Sequence, residues 1–457
     1  MRRRIASALG ALVVMVSASA GLTPAAAGTS DPAEKLATTT PIKHFMVLMQ
    51  SSHTFDNYFG TYPGADGIPA GTCMPVDTAA VVPAKSGAAG AACVKPFAIG
   101  GKDVVDLGQS TDLFAAEYNG GRMNGFVSAF SQHQGAGGQA MGHYDDSDIP
   151  YYWNVADNYV LFDRLFTSAA GGSVWNHMYW ISGTPGNLRG DELLPDGFDG
   201  VTTIFDRLQK AGVSWKFYVE NYQPQVTFRS PGDNTSELVR VPLLNFRRFV
   251  DNPALRSHIV DMTQYYKDVK AGTLPAVSFM SSSGASEHPP GNLAGGERFI
   301  RSLVNALMSS SAWRSSAFMW TYDDWGGWYD HVKPPAVDKY GYGFRSPALL
   351  VSPYAKKGVV DHTTLDFTSE LKFIENNWGV APLAARDKAA NDITSAFDFT
   401  AGPRQAVILP RTRAATPLPL GRIGAVYPAY GVAVVVVAVL IGFALRRRRQ
   451  PTVGIAR

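Results

Sequence analysis

A mostly parallel α/β sheet flanked by helices is the fold class that this 457-residue sequence predicts. Short apolar runs typical of buried strands recur along the chain, and helical periods lie between several of them. Strands that alternate with helices indicate a parallel sheet. The composition agrees, because 46% hydrophobic and 17% charged residues exclude a coiled coil and a mostly disordered chain. With 45 glycines and 29 prolines, we also expect long loops.

Five apolar runs are predicted as strands, at residues 42–49, 213–219, 276–280, 317–322 and 348–351. Three helices are predicted between or after them. The first carries Ile204, Phe205 and Leu208 on one face and ends before Gly212. The second has apolar residues at helical spacing over 299–308. The third begins with Thr368 or Ser369 as its cap and ends at Gly379.

The two ends of the chain predict export and a membrane anchor. Residues 1–27 combine three arginines, an apolar run and an Ala-Ala-Ala cleavage site, which is typical of a signal peptide. Residues 404–424 form a Pro/Arg-rich stalk, and 425–445 carry no charge, which predicts a transmembrane helix. The basic segment 446–457 would stay in the cytoplasm. We therefore expect a single-pass cell-membrane protein with its main domain, residues 28–403, outside the cytoplasm.

Charge and cysteine content narrow the class of protein. Eight of the 41 basic residues lie in the two terminal segments, which leaves 33 against 38 acidic residues and argues against nucleic acid as a partner. Cys73 and Cys93 are the two cysteines. In an oxidising compartment we expect them to form a disulfide. A metal-binding pair is the less favoured alternative, since neither has a neighbouring histidine.

Polar clusters follow three of the predicted strands. Residues 50–56 follow the first, a serine run and Glu287-His288 follow the third, and Asp323-Asp324 follow the fourth. Because ligands bind beyond the carboxyl ends of the strands in such sheets, these clusters predict a functional site at one edge.

Asp323-Asp324 is the strongest chemical signal. Two adjacent carboxylates before a Gly-Gly pair can ligate a divalent cation, although solvated acids in a turn are the alternative. His331 lies seven residues after Asp324 and is a further candidate, with a structural histidine as the alternative.

Ser173 follows two glycines, and its hydroxyl could attack an ester if a metal lies nearby. An ordinary turn serine is the alternative. A serine or thioester hydrolase is disfavoured, because there is neither a Gly-x-Ser-x-Gly motif nor a convincing base beside Ser173. Glu287-His288 can contribute to the same site, with a surface loop as the alternative.

Several motifs in a fixed order resemble the bacterial phosphoesterases that include non-haemolytic phospholipase C and a metal-dependent acid phosphatase. They lie in residues 42–60, 120–126, 156–184, 287–290, 321–332 and 345–399, and together they are more specific than any one of them, such as TYDDWGGWYDHV. The resemblance implies an alkaline-phosphatase-like fold and hydrolysis of phosphate esters or phospholipids by a hydroxyl nucleophile held on a divalent metal ion of unknown identity.

The resemblance also implies roles for individual residues. Ser173 occupies the nucleophile position, and Asp323 and Asp324 occupy the positions of paired metal ligands. Asn176, His288 and His331 match positions near the phosphate pocket, where a catalytic role is implied.

The sequence departs from the family pattern after the first strand. Ser51 and Ser52 replace the usual Glu-Asn pair of metal ligands, and Gln109 replaces a histidine. A serine hydroxyl is a neutral ligand, so the metal would lose one negative charge. Two hypotheses follow. The protein is a membrane-anchored phosphoesterase with weakened metal binding, or it is a catalytically impaired scaffold at the cell surface.

Overall fold

The computed structural model describes residues 31–78, 92–130 and 136–412 and is built around an eight-stranded sheet. The strands in chain order are β1 His44–Gln50, β2 Val160–Phe162, β3 Trp215–Val219, β4 Ile259–Asp261, β5 Val277–Ser281, β6 Ser316–Tyr322, β7 Ala348–Val351 and β8 Val359–Asp361. Their order across the sheet is β8-β2-β7-β6-β1-β5-β3-β4. Only β7 runs antiparallel to its neighbours in this sheet, which confirms a mostly parallel arrangement.

The predicted strands all lie in this sheet, within two residues of their expected ends. β1 is buried along its whole length, as a central strand covered on both faces must be. β2, β4 and β8 were not predicted, because three residues are too few to show a hydrophobic pattern.

Helices separate and follow the strands along the chain. In chain order they are α1 Phe55–Phe59, α2 Thr111–Tyr118, α3 Pro150–Asn158, α4 Ser173–Ser182, α5 Ile204–Ala211, α6 Thr235–Arg240, α7 Arg247–Val250, α8 Pro253–Arg256, α9 Thr263–Ala271, α10 Leu293–Met308, α11 Phe367–Trp378 and α12 Ala385–Ala389.

The predicted helices are present, with one correction at a helix start. α5 ends at Gly212, whose φ of 70° suits glycine, as expected. The N-cap of α11 is Asp366, which lies two or three residues before the predicted caps Thr368 and Ser369. Ser369 lies inside the first turn, where its hydroxyl accepts the Asp366 N–H at 3.1 Å.

The Cys73–Cys93 disulfide is present, which confirms the favoured interpretation of the two cysteines. It joins a small two-stranded antiparallel sheet made of Met74–Pro75 and Cys93–Val94. The loop between these strands is thereby closed covalently at its base.

The terminal predictions fall largely outside the described part of the chain. The predicted signal peptide at 1–27 and the predicted transmembrane helix at 425–445 both lie outside the described residues. Within the ranges that the structure describes, no helix has the length and apolar character needed to cross a bilayer. Residues 404–412, the start of the predicted stalk, lie against the main domain, where Asn154 Nδ2 donates to Pro410 O at 3.0 Å.

Candidate active site

The carboxyl ends of the central strands meet at one edge of the sheet. Met49 of β1 lies opposite Ser281 of β5 and Thr321 of β6, so the segments after these strands begin side by side. The Ser51 N–H donates to Ser286 O at 3.0 Å, which ties the first two segments together. The structure therefore brings together the strand-end clusters that the sequence predicted.

Ser173 is the first residue of α4 and follows Gly172. Its hydroxyl donates a hydrogen bond to Asp324 Oδ2 at 2.7 Å. A Cβ on residue 172 would lie 2.1 Å from Asp191 Oδ2, so glycine is required there. The serine hydroxyl thus lies at the positively polarised end of a ten-residue helix and beside a carboxylate.

Asn176 shapes the turn that leads into α4. Its buried Nδ2 donates to the carbonyl oxygens of Gly171 and Gly172, each at 3.1 Å. Its Oδ1 accepts the Ala169 N–H at 2.9 Å. Because both polar atoms of the Asn176 side chain bond to backbone groups, Asn176 is a positioning residue for Ser173 in this structure. A contact between Asn176 and the substrate stays a prediction.

Asp323 and Asp324 lie directly after β6 and are both buried. Asp324 Oδ1 accepts the Gly326 N–H at 3.0 Å. Burial first, and neighbouring Asp323 second, raise the pKa of Asp324 well above its ordinary value. Among the described residues, no lysine or arginine nitrogen lies within 4 Å of either carboxylate.

Ser51 and Ser52 lie against this acidic pair. The Ser52 N–H donates to Asp323 Oδ1 at 3.2 Å, and the two serine hydroxyls lie 3.0 Å apart. Ser52 has a φ of 71°, an unusual conformation for a residue with a side chain. A Cβ on Gly326 would lie 2.5 Å from the Ser52 carbonyl oxygen, so the Gly-Gly turn after Asp324 is needed for this close packing.

A cavity of about 460 Å³ opens over these residues. Nine of its eleven lining residues carry polar side chains, and they include four predicted site residues, Ser51, Ser173, His288 and Asp323. The remaining lining residues are Gln109, Val174, Asp191, Ser236, Val239, Arg240 and Ser286.

His288 reaches the cavity from a turn anchored by buried Glu287. The Glu287 carboxylate accepts hydrogen bonds from the Tyr58 hydroxyl at 2.7 Å and the Tyr322 hydroxyl at 2.8 Å, and Tyr152 donates a third. Burial raises the pKa of Glu287 to about 7. His288 Nδ1 donates to Pro289 O at 2.8 Å, which leaves Nε2 for other partners.

Three residues of this region were missed by sequence reasoning. His177 lies one helical turn after Ser173, and its Nδ1 is 2.9 Å from Ser173 O and 3.9 Å from Asp323 Oδ2. The spacing of four residues from Ser173 was a usable signal for His177. Asp191 and Arg240 come from separate segments, and no local pattern connects either of them to the site.

Asp191 also contacts the start of α4. Its Oδ1 accepts the Trp175 N–H at 2.8 Å, which satisfies one of the free donors at the helix start. Burial raises the pKa of Asp191 to about 6.

His331 does not line the cavity. Its Nδ1 lies 2.7 Å from Asp56 Oδ2 and its Nε2 3.2 Å from Asp66 Oδ1. Fully buried Arg345 completes this cluster by contacting Asp56 Oδ1 at 2.9 Å and Asp330 Oδ1 at 2.9 Å. The catalytic role implied for His331 has no support from this placement and stays a prediction.

The acidic pair fits a divalent cation. Two buried carboxylates with no cationic side chain in contact require compensation, either by protons or by a metal ion. The Ser173 hydroxyl donates to Asp324 Oδ2, the Ser52 N–H donates to Asp323 Oδ1, and the hydroxyls of Ser51 and Ser52 lie 3.0 Å apart next to this pair. An all-oxygen set of this kind suits Mg²⁺, Ca²⁺ or Mn²⁺.

Comparison with known proteins agrees with these observations. The profile of the Phosphoesterase family matches residues 42–381. Phospholipase C B of Mycobacterium tuberculosis is 30% identical over 431 residues, which cover 80% of this chain and 79% of that protein. Non-hemolytic phospholipase C of Pseudomonas aeruginosa is 26% identical over 415 residues, which cover 78% of this chain and 57% of that protein. These matches confirm the resemblance carried by the sequence motifs.

A solved structure gives a more distant similarity. A protein of the alkaline phosphatase superfamily from Vibrio parahaemolyticus superposes with a TM-score of 0.34 at 11% identity. The superposition covers 76% of this chain and 68% of that chain.

Proposed function

Because the chain belongs to the Phosphoesterase family and is a phosphoric ester hydrolase, we propose that Ser173 is its nucleophile and that Asp323 and Asp324 hold a divalent cation. One observation carries this proposal. The Ser173 hydroxyl donates to Asp324 Oδ2 at 2.7 Å beside the cavity, and no arginine or lysine of the described residues lies within 4 Å of the two carboxylates.

Ser173, Asp324 and His288 have separate roles in the proposed reaction. The Ser173 hydroxyl gives its proton to solvent as its oxygen attacks the phosphorus atom, the alcohol leaves, and water then hydrolyses the phosphoserine. Asp324 orients the hydroxyl by accepting its hydrogen bond. His288 faces the cavity and can exchange a proton with the leaving oxygen through Nε2.

The proposed cation has a defined part in this scheme. When bound, it supplies positive charge that stabilises the phosphoryl oxygens and lowers the pKa of the Ser173 hydroxyl. Asp323 and Asp324 would be its charged ligands, with hydroxyl oxygens from Ser173, Ser51 and Ser52 nearby.

The test is hydrolysis of p-nitrophenyl phosphate and p-nitrophenylphosphorylcholine by the purified full-length chain with Mg²⁺, Ca²⁺, Mn²⁺ or Zn²⁺. We expect Ser173→Ala to reduce kcat by roughly a thousand-fold or more, since the nucleophile is lost. Ser302→Ala is the matched control, because that hydroxyl lies on α10 outside the cavity. Turnover that persists in Ser173→Ala would refute the assignment.

A phospholipid at the cell surface is the proposed natural setting. The relatives are phospholipases C, which supports a phosphodiester lipid substrate. The disulfide supports an oxidising compartment, and the terminal sequence patterns support export and anchoring. Deleting residues 425–457 should release the protein from the membrane fraction. If the truncated chain still sediments with membranes, the single-anchor proposal fails.

A catalytically impaired scaffold is the second candidate, and Ser51 and Ser52 favour it. Their hydroxyls lie 3.0 Å apart at the acidic pair, where the family pattern places a carboxylate and an amide. A wild-type chain without turnover that gains activity in Ser51→Glu/Ser52→Asn would establish this alternative. Strong wild-type turnover would exclude it.

A further inference from the structure

We infer that Arg240 makes the cavity select phosphate esters that carry negative charge beyond that of a simple diester and disfavour esters of choline. The preferred chemistry is an additional anionic group near the scissile phosphorus. A phosphomonoester or a lipid with an anionic headgroup supplies it. This inference rests on the proposed function, because it concerns the substrate of the same site.

Arg240 is the last residue of α6 and lines the cavity with Ser236 and Val239 from the same helix. Glu237 anchors this helix away from the cavity, since its carboxylate accepts the Gln223 N–H at 3.1 Å and an Asn234 amide hydrogen at 3.0 Å. The arginine is therefore carried on a fixed element.

The guanidinium group of Arg240 has no partner in the described part of the chain. No carboxylate oxygen lies within 4 Å of it, and its Nε is buried without a hydrogen-bond acceptor. Burying an arginine side chain whose N–H groups have no acceptor costs free energy, unless a bound ligand supplies the acceptor. Its planar set of N–H donors matches the oxygen atoms of phosphate or carboxylate groups.

Glu237, Asp323 and Glu220 act on Arg240 through the electrostatic field, but none of them forms an ion pair with it within 4 Å. Glu220 Oε2 accepts the N–H groups of Ser283 and Ala285 at 2.6 and 3.0 Å. Asp323 Oδ1 accepts the Ser52 N–H, and the proposed cation would take its remaining charge. Arg240 is then left as a positive group at the cavity wall.

Choline is a poor match for the same wall. Proteins bind quaternary ammonium groups against the faces of aromatic rings. The cavity lining contains no phenylalanine, tyrosine or tryptophan within the described ranges. A cationic headgroup would also meet the positive charge of Arg240, and like charges brought together are unfavourable.

The test compares Arg240→Gln with wild type on three esters of p-nitrophenol. They are p-nitrophenyl phosphate, the singly charged methyl p-nitrophenyl phosphate and p-nitrophenylphosphorylcholine. We expect kcat/KM for the monoester to fall roughly ten-fold or more, with a smaller change for the methyl diester and an unchanged or higher value for the choline ester. Arg240→Lys should keep part of the preference, because it keeps the charge.

Arg247→Gln is the matched control, since this exposed arginine on α7 pairs with Asp199 outside the cavity. Vesicles that contain phosphatidylinositol 4-phosphate, whose headgroup carries an additional phosphate, and vesicles of phosphatidylcholine distinguish an anionic headgroup from a monoester as the source of the charge. An equal loss on all three p-nitrophenyl esters would overturn the inference, because Arg240 would then bind the phosphoryl group common to them. A wild-type preference for the choline ester would also overturn it.

Binding measurements separate this inference from the proposed function. Calorimetric titration of the full chain with inorganic phosphate and with phosphocholine needs no turnover. Tighter binding of phosphate that weakens in Arg240→Gln supports the inference even if hydrolysis is absent. Equal binding of both, unaffected by the substitution, contradicts it whether or not the enzyme is active.

Discussion

Two of the buried carboxylate pairs in the described part of the chain are neutralised differently. Asp56 and Asp330 both contact the fully buried guanidinium of Arg345. Asp323 and Asp324 are as deeply buried, but no arginine or lysine of the described chain touches them. The first pair is a completed ion-pair cluster, whereas the second still lacks its positive charge.

The contrast shows why one acidic cluster is assigned as the active site and the other is not. Asp56, Asp330 and His331 place ligand atoms close enough together to hold a metal ion. Arg345 already supplies their positive charge, however, so a cation would have to compete with it. An uncompensated acidic pair beside a cavity is the better indication of a functional cation site.

Replacing Arg345 should have the largest effect on stability. Arg345→Met leaves buried Asp330 without a charged partner and Asp56 with His331 alone, and we expect the free energy of unfolding to fall by ~3–5 kcal/mol. Urea denaturation measures this loss. The control is Arg229→Met, which removes an exposed ion pair with Asp251 and should change little. Equal midpoints for both variants would show that the Arg345 cluster is not a stabilising unit.

Asp324→Asn should have an intermediate effect that depends on metal. Saturation of wild type with Mn²⁺ at one hundred times its Kd should add ~2.7 kcal/mol to the free energy of unfolding. Asp324→Asn should lose this gain, because one charged ligand is removed. Exposed Asp112→Asn should keep it. Identical metal-dependent shifts in wild type and Asp324→Asn would place the cation elsewhere.

Glu370 is a buried carboxyl that a proton neutralises, which is a third case beside the pair that contacts Arg345 and the pair assigned to a cation. Burial raises its pKa from 4.5 to about 8, and Trp180 Nε1 donates to it at 2.7 Å. The folded protein therefore holds a proton that the unfolded chain releases between about pH 4.5 and 8. Stability should fall as pH rises through this window.

Glu370→Gln should reduce that pH dependence by the share due to Glu370 and stabilise the protein by at least about 1 kcal/mol at pH 8, because the amide stays neutral. Tm measured from pH 5 to 8 tests this, with exposed Glu192→Gln as the control. A slope in Glu370→Gln as steep as in wild type would mean that Glu370 is ionised in the folded protein.

Most of the sheet was predictable from sequence because its long central strands are continuous apolar runs. β1 and β6 each bury seven consecutive residues, a pattern that a surface strand does not show. β2, β4 and β8 were missed because each is held by pairing with its neighbours over only three residues. Such strands depend on tertiary contacts and leave little local pattern.

The site was predictable only where its residues are adjacent in the chain. Asp323-Asp324 and Ser51-Ser52 each follow a strand, so the topology alone brings them together. Arg240 reaches the cavity through the packing of α6, which no spacing reveals. His331 lies near Asp324 in the sequence, but this proximity does not determine where its side chain points. The side chain contacts Asp56 instead.

The most direct test of the central claim is to find the phosphoryl group on the enzyme. The full-length chain would be mixed with p-nitrophenyl phosphate and the best metal ion, quenched in acid within one turnover, digested and analysed by mass spectrometry. We expect phosphorylation of Ser173 in wild type and a much smaller amount in Asp324→Asn. Turnover without a phosphoserine at residue 173, or with the phosphoryl group on another residue, would contradict the assignment of Ser173 as the nucleophile.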